Sequence, residues 1–158
     1  MVDENFIPIE GKYARTYEEV VGHPSMIFVE NLIKSKDKVA TRQMWDASLY
    51  NLKTPSEGMY DIYMDEFFKE RCFTDISVAL CQFNITNEGG DGSIEKITCP
   101  ITWIHGKKDQ VVLFVIGQNS AKYFLNDLDF IAIEEAGHMV FNDCPEEFYG
   151  HIDKIVEK

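Results

Sequence analysis

Two residues late in the chain could act as an acid and a base. Asp109 closes Gly106-Lys107-Lys108-Asp109, directly after the apolar run Ile101-Thr102-Trp103-Ile104-His105, and His138 closes Ala136-Gly137-His138 after a second apolar run. A carboxylate beside an imidazole fixes the tautomer of the ring and stabilises its charged form, so that the ring can take a proton from a nucleophile and return it later. The alternative is structural: Gly-x-x-Asp makes a turn, and His138 donates to a loop carbonyl. An acid and a base also need a third member, a nucleophile, and nothing beside these two motifs supplies it.

The elements that would carry the pair read as strand 98–105, helix 111–125, strand 128–134 and helix 144–157, with Asp143 and Glu146 as a capping pair for the last helix. A strand, a crossover helix and a second strand of nearly continuous apolar character predict parallel pairing with both faces covered. Two parallel strands make a poor sheet alone, so the outer edge of 101–105 is expected to be filled by another chain, blocked by helices or left prone to aggregation.

Upstream the pattern is helical. Residues 1–12 read as an irregular lead-in. Thr16 caps a short helix that Gly22 interrupts, Pro24 opens a helix to about Ser35, and Asp37 caps one running through Leu49. Thr54-Pro55 opens a helix to about Arg71, and Thr74-Asp75 starts another that ends near Phe83. Glu88-Gly89-Gly90-Asp91-Gly92-Ser93 reads as a flexible joint, which divides a helical region over 1–96 from a strand-containing segment over 97–158.

The residues from Ile97 to Lys158 resemble the C-terminal part of the α/β-hydrolase fold, whose chain order is nucleophile, acid, histidine. Asp109 and His138 stand where that family keeps its acid and its base, and Pro145-Glu146-Glu147-Phe148, opening the last helix, is also similar. The resemblance implies an α/β class chain: a partial α/β-hydrolase fold, with 1–96 similar to the helical cap and 97–158 forming a β-α-β-α core segment with parallel strands. It implies an ester- or thioester-type hydrolase segment without a cofactor. The half that would carry the nucleophile elbow is absent, so the isolated chain is expected to be inactive unless a partner segment completes it. The competing expectation is a non-catalytic remnant that serves as a structural or interaction subunit of a larger assembly.

The elbow motif Gly-x-Ser-x-Gly does not occur. Gly22-His23-Pro24-Ser25-Met26 is the nearest imitation and precedes Asp109 and His138 in the family's order. Its proline and its bulky residues argue against an elbow, and too little sequence lies ahead of it to build the strands and oxyanion loop, so His-Pro-Ser at a helix start is the better reading of Ser25. Ser120 lies inside the crossover helix and fares no better. His23, His105, His138 and His151 lack metal-ligand spacing, which argues against a zinc site, and His105 is expected to pack at its strand end. Gly89 to Ser93 lacks the Gly-Lys-Ser/Thr ending of a phosphate loop. Tyr60, Tyr63, Phe67, Phe68 and Phe73 could line a pocket for a small acyl substrate or simply form core.

Composition narrows the rest. The 158 residues are 45% hydrophobic, enough for one domain with a core. A net charge of −12 repels phosphate backbones, which excludes nucleic acid as the expected partner. The expected partner is a protein chain or a second copy that completes the sheet. No apolar run approaches the roughly 20 residues of a membrane span, and the acidic start lacks a signal-peptide pattern. The expectation is a soluble intracellular protein, whether in cytoplasm or organelle lumen. Cys72, Cys81, Cys99 and Cys144 are expected to be buried thiols, and Asn84-Ile85-Thr86 to be a chance sequon.

Overall fold

The computed structural model describes residue 14 and residues 16–124 and 128–157. Strand β1 (Ile101–Gly106) pairs in parallel with β2 (Leu128–Ile133), with Ile101 opposite Leu128 and Gly106 opposite Ile133. Side chains alternate between the two faces of this pair. Trp103 and His105, with Phe130, turn toward the crossover helix, in which Phe114 meets both His105 and Phe130. Ile104, Ile131 and Ile133 turn the other way, against Val140, Cys144 and Phe148 of the C-terminal helices. Both faces are therefore covered, as the apolar runs predict. Among the described residues no third strand joins the sheet.

Among the described residues five α-helices precede the strands: α1 (Tyr17–Val21), α2 (Pro24–Ser35), α3 (Lys38–Ala47), α4 (Glu57–Phe67) and α5 (Phe73–Gln82). Their starts follow local chemistry. The Thr16 hydroxyl accepts from the Glu19 N–H at 3.2 Å while the Glu19 carboxylate accepts from the Thr16 N–H at 3.1 Å, a reciprocal cap. Pro24 takes the first turn of α2, and Asp37 accepts from the Ala40 N–H at 3.0 Å to start α3. Helix α4 begins later than Thr54-Pro55 suggests, at Glu57, and ends at Phe67 rather than Arg71. The expected lead-in over 1–12 lies outside the described residues.

The helical part has its own aromatic centre. Trp45, Tyr50, Tyr60 and Met64 are buried together, with Phe67 and Phe68 packed against them, and each buried side chain of this size contributes roughly 1.5–3 kcal/mol. Burial and the hydrogen bond to Asp46 push the Tyr60 hydroxyl above the ordinary phenol range. Of the aromatic residues that could have formed a pocket, Tyr60, Phe67 and Phe68 belong to this core, whereas Tyr63 is exposed.

The segment expected as a flexible joint is closed on itself. Thr86 and Asp91 bond back to Asn84, Gly92 N–H donates to Thr86 and Ile94 N–H to Ile85, before a short 3-10 turn at Ser93–Lys96. Gly89 and Gly92 take φ of 75° and 71°, which side chains resist. The cysteines differ from expectation too: all four are free thiols, but Cys72, Cys81 and Cys99 are exposed and Cys144 is half-buried.

The crossover helix α6 spans only Phe114–Ala121, later than the expected start at 111, and in the turn ahead of it the N–H groups of Val111 and Val112 donate to the Asp109 carboxylate. The C-terminal helix is broken in two, α7 (Val140–Asp143) and α8 (Pro145–Val156). Asp143 is not its cap. No side chain caps α8, and the Asp143 carboxylate instead accepts from the Gly137 N–H at 2.8 Å.

Candidate active site

Past the end of β1 the backbone continues to pair with the far side of β2. Lys107 N–H donates to the Ile133 carbonyl and Lys108 N–H to the Ala136 carbonyl, both at 2.9 Å, which zips the two loops together. Gly106 is required at this closure: a Cβ there would lie 2.2 Å from the Gly137 carbonyl oxygen and 2.4 Å from that of Ala136. Asp109 and His138, 29 residues apart in sequence, are thereby delivered to one edge.

Asp109 is 6% exposed, and its carboxylate is held by specific donors. Oδ1 accepts from the N–H groups of Val111 at 2.7 Å and Val112 at 2.9 Å. Oδ2 lies 3.0 Å from Nδ1 of His138. A carboxylate held in this way accepts, so Nδ1 carries the proton and Nε2 is left with its lone pair. No described residue bonds to that Nε2, and the side chain is 30% exposed. The arrangement can accept a proton at Nε2 and stabilise the resulting imidazolium through Asp109.

Sequence reasoning missed what the helical part contributes. Asn51, in the connection between α3 and α4, donates from Nδ2 to the Lys108 carbonyl at 3.3 Å, beside Asp109. Its Oδ1 lies 2.5 Å from where a Cβ on Gly137 would stand, so this loop packs against the residue beside His138 as well. Asn142 donates to the Lys53 carbonyl, and Met139 packs on the Trp45 and Tyr60 cluster. No spacing rule links residue 51 to residues 108 and 137, so only the folded contacts could reveal it.

No protein-family model matches the chain, and no curated protein sequence matches it either. Among solved structures the fold is similar to an esterase from Exiguobacterium antarcticum, with a TM-score of 0.61 over 98% of this chain at 20% identity. The fold is esterase-like. The chain spans 52% of that esterase's length.

In this esterase-like fold Ser25 and Ser120 lie apart from Asp109 and His138. Ser25 opens α2, where the His23 ring caps the helix: Nδ1 accepts from the Ser25 N–H at 3.3 Å and from its hydroxyl at 2.6 Å. Ser25 and Ser120 both line a groove of about 790 Å³ with Met26, Leu80, Phe83 and Ile116, and neither Asp109 nor His138 lines it. His151 sits on α8, and no group of His, Cys, Asp and Glu residues able to hold a metal occurs among the described residues. No helix among the described residues is long and apolar enough to cross a membrane.

Proposed function

We propose that this chain contributes the acid, Asp109, and the base, His138, to an α/β-hydrolase site that cleaves esters, thioesters or related acyl compounds. The nucleophile and the oxyanion donors come from a polypeptide segment outside these 158 residues. The observation that carries the reading is the 3.0 Å contact between His138 Nδ1 and Asp109 Oδ2, with Nε2 left to receive a proton. In the proposed reaction His138 Nε2 takes the proton of the incoming hydroxyl as its oxygen attacks the acyl carbon. The imidazolium then gives that proton to the leaving group, and water repeats the sequence to release the acid.

The same proposal gives the sheet its missing neighbour. The outer edge of β1 has no strand partner among the described residues, and the occupant we assign to it is a strand of the segment that bears the nucleophile, from a separate chain or the remainder of a longer one. In this assignment 1–96 is the cap and 97–158 the core segment of the shared fold. The competing reading, a non-catalytic subunit, draws support from Ser25, whose hydroxyl is engaged by the helix-capping His23.

The test is hydrolysis of p-nitrophenyl acetate by the chain alone and by the chain extended or co-expressed with the sequence encoded ahead of it. We expect no turnover above buffer from the chain alone, and turnover in the completed form that Asp109→Asn and His138→Ala abolish. A completed form that folds and stays inactive favours the non-catalytic subunit. Turnover by the chain alone that Ser25→Ala removes would overturn the reading in the opposite direction.

A further inference from the structure

We infer that His105 is a positioning residue that holds the Asp109 carboxylate in the orientation that serves His138. This inference rests on the reading of Asp109 as the acid, and it concerns a residue that sequence reasoning treats as packing. His105 is 6% exposed at the end of β1. Its Nε2 lies 2.9 Å from the Val112 carbonyl, and since a carbonyl only accepts, the proton sits on Nε2.

The ring has little freedom to do otherwise. Its other nitrogen faces Gly117 of α6, where a Cβ would stand 2.2 Å from Nδ1. Phe114 meets it edge-on with centroids 5.5 Å apart, and Phe130 lies tilted against it at 6.4 Å. The Nε2–H is thus aimed at the turn from Asp109 to Val112 by packing on both sides. Val112 is held from two directions, its N–H by Asp109 Oδ1 and its carbonyl by His105.

The same Nε2 is 3.4 Å from Asp109 Oδ2, the oxygen that His138 uses. Rotation of the carboxylate would surrender the Val111 and Val112 N–H groups at one oxygen and the two imidazoles at the other. An apolar residue would fill this strand end at less cost than a buried imidazole, which needs a partner for its donor. Here the donor goes to the turn that holds the acid.

The test compares His105→Phe, which keeps a ring but removes the donor, with His105→Gln, which keeps a donor at the same reach. The readout is the downfield Nδ1 proton signal of His138 in NMR spectra of the chain alone, with no substrate or partner needed. We expect the signal in the unaltered chain and in His105→Gln, and its loss in His105→Phe. A signal unchanged in a folded His105→Phe chain would overturn the inference, as would loss in both variants. Should His105→Phe fail to fold, the tautomer of His105 in the unaltered chain decides: a proton on Nε2 supports the inference, and one on Nδ1 contradicts it. Failure of the hydrolase assays leaves these results standing, so the two ideas fail separately.

Discussion

Two of the imidazoles in this chain, His23 and His138, meet an oxygen group under different constraints, one at the N-terminus of α2 and the other past the ends of the two strands. His23 and Ser25 are two residues apart, and their contact is part of a helix cap in which Nδ1 only accepts. His138 and Asp109 are 29 residues apart, and their contact depends on two strands, a crossover and a zipped loop pair. In the first the ring serves the backbone of its own turn. In the second the ring is oriented by a buried carboxylate with Nε2 left over. A histidine beside a serine is therefore weaker evidence of chemistry than a histidine beside an acid, because a cap needs no long-range construction.

Substitutions should separate the two regions by size of effect. Asp109→Ala should cost about 3 kcal/mol in urea unfolding, since it strips acceptors from the Val111 and Val112 N–H groups and from His138 in a buried place. Gly106→Ala should cost about 2 kcal/mol and weaken the His138 Nδ1 proton signal, because the new methyl pushes the carbonyls of Ala136 and Gly137 away. Equal stability of either variant and the unaltered chain would deny that the edge is built as described. His23→Ala should cost about 1 kcal/mol through the lost cap and leave the His138 signal unmoved. Ser25→Ala should stay within about 0.5 kcal/mol and change no hydrolysis by the completed form. An effect of Ser25→Ala on the His138 signal would erase the distinction between the two regions.

Most of the element order was legible because it rests on short-range chemistry. Thr16 and Asp37 each start a helix through bonds within a few residues, and Pro24 starts one through its fixed φ at the first helical position. The strands showed as apolar runs, the first ending at Gly106 and the second ahead of Glu134-Glu135. The errors lie where a polar group is used by a neighbouring loop in a way that helix patterns do not mark. Asp143 looks like the cap of α8 and instead holds the Gly137 N–H, and Val111 looks helical but lies in the turn ahead of α6, which starts at Phe114. The acidic, glycine-rich run 88–93 looks loose, and Asn84 with Thr86 closes it. The 3.0 Å approach of His138 to Asp109 is the contact their two motifs lead one to expect. Asn51 and the bonds of His105 were not, because neither lies in a pattern that periodicity or spacing could mark.

The most direct test of the proposed roles of Asp109 and His138 is the tautomer of His138 in the unaltered chain and in Asp109→Asn, read from ¹⁵N-edited NMR. The Val111 and Val112 N–H groups require an acceptor, so the amide oxygen of the variant should keep the Oδ1 position and its NH₂ should face His138. The account predicts a proton on Nδ1 of His138 in the unaltered chain and on Nε2 in Asp109→Asn. The same tautomer in both proteins, or a proton on Nε2 in the unaltered chain, would contradict it.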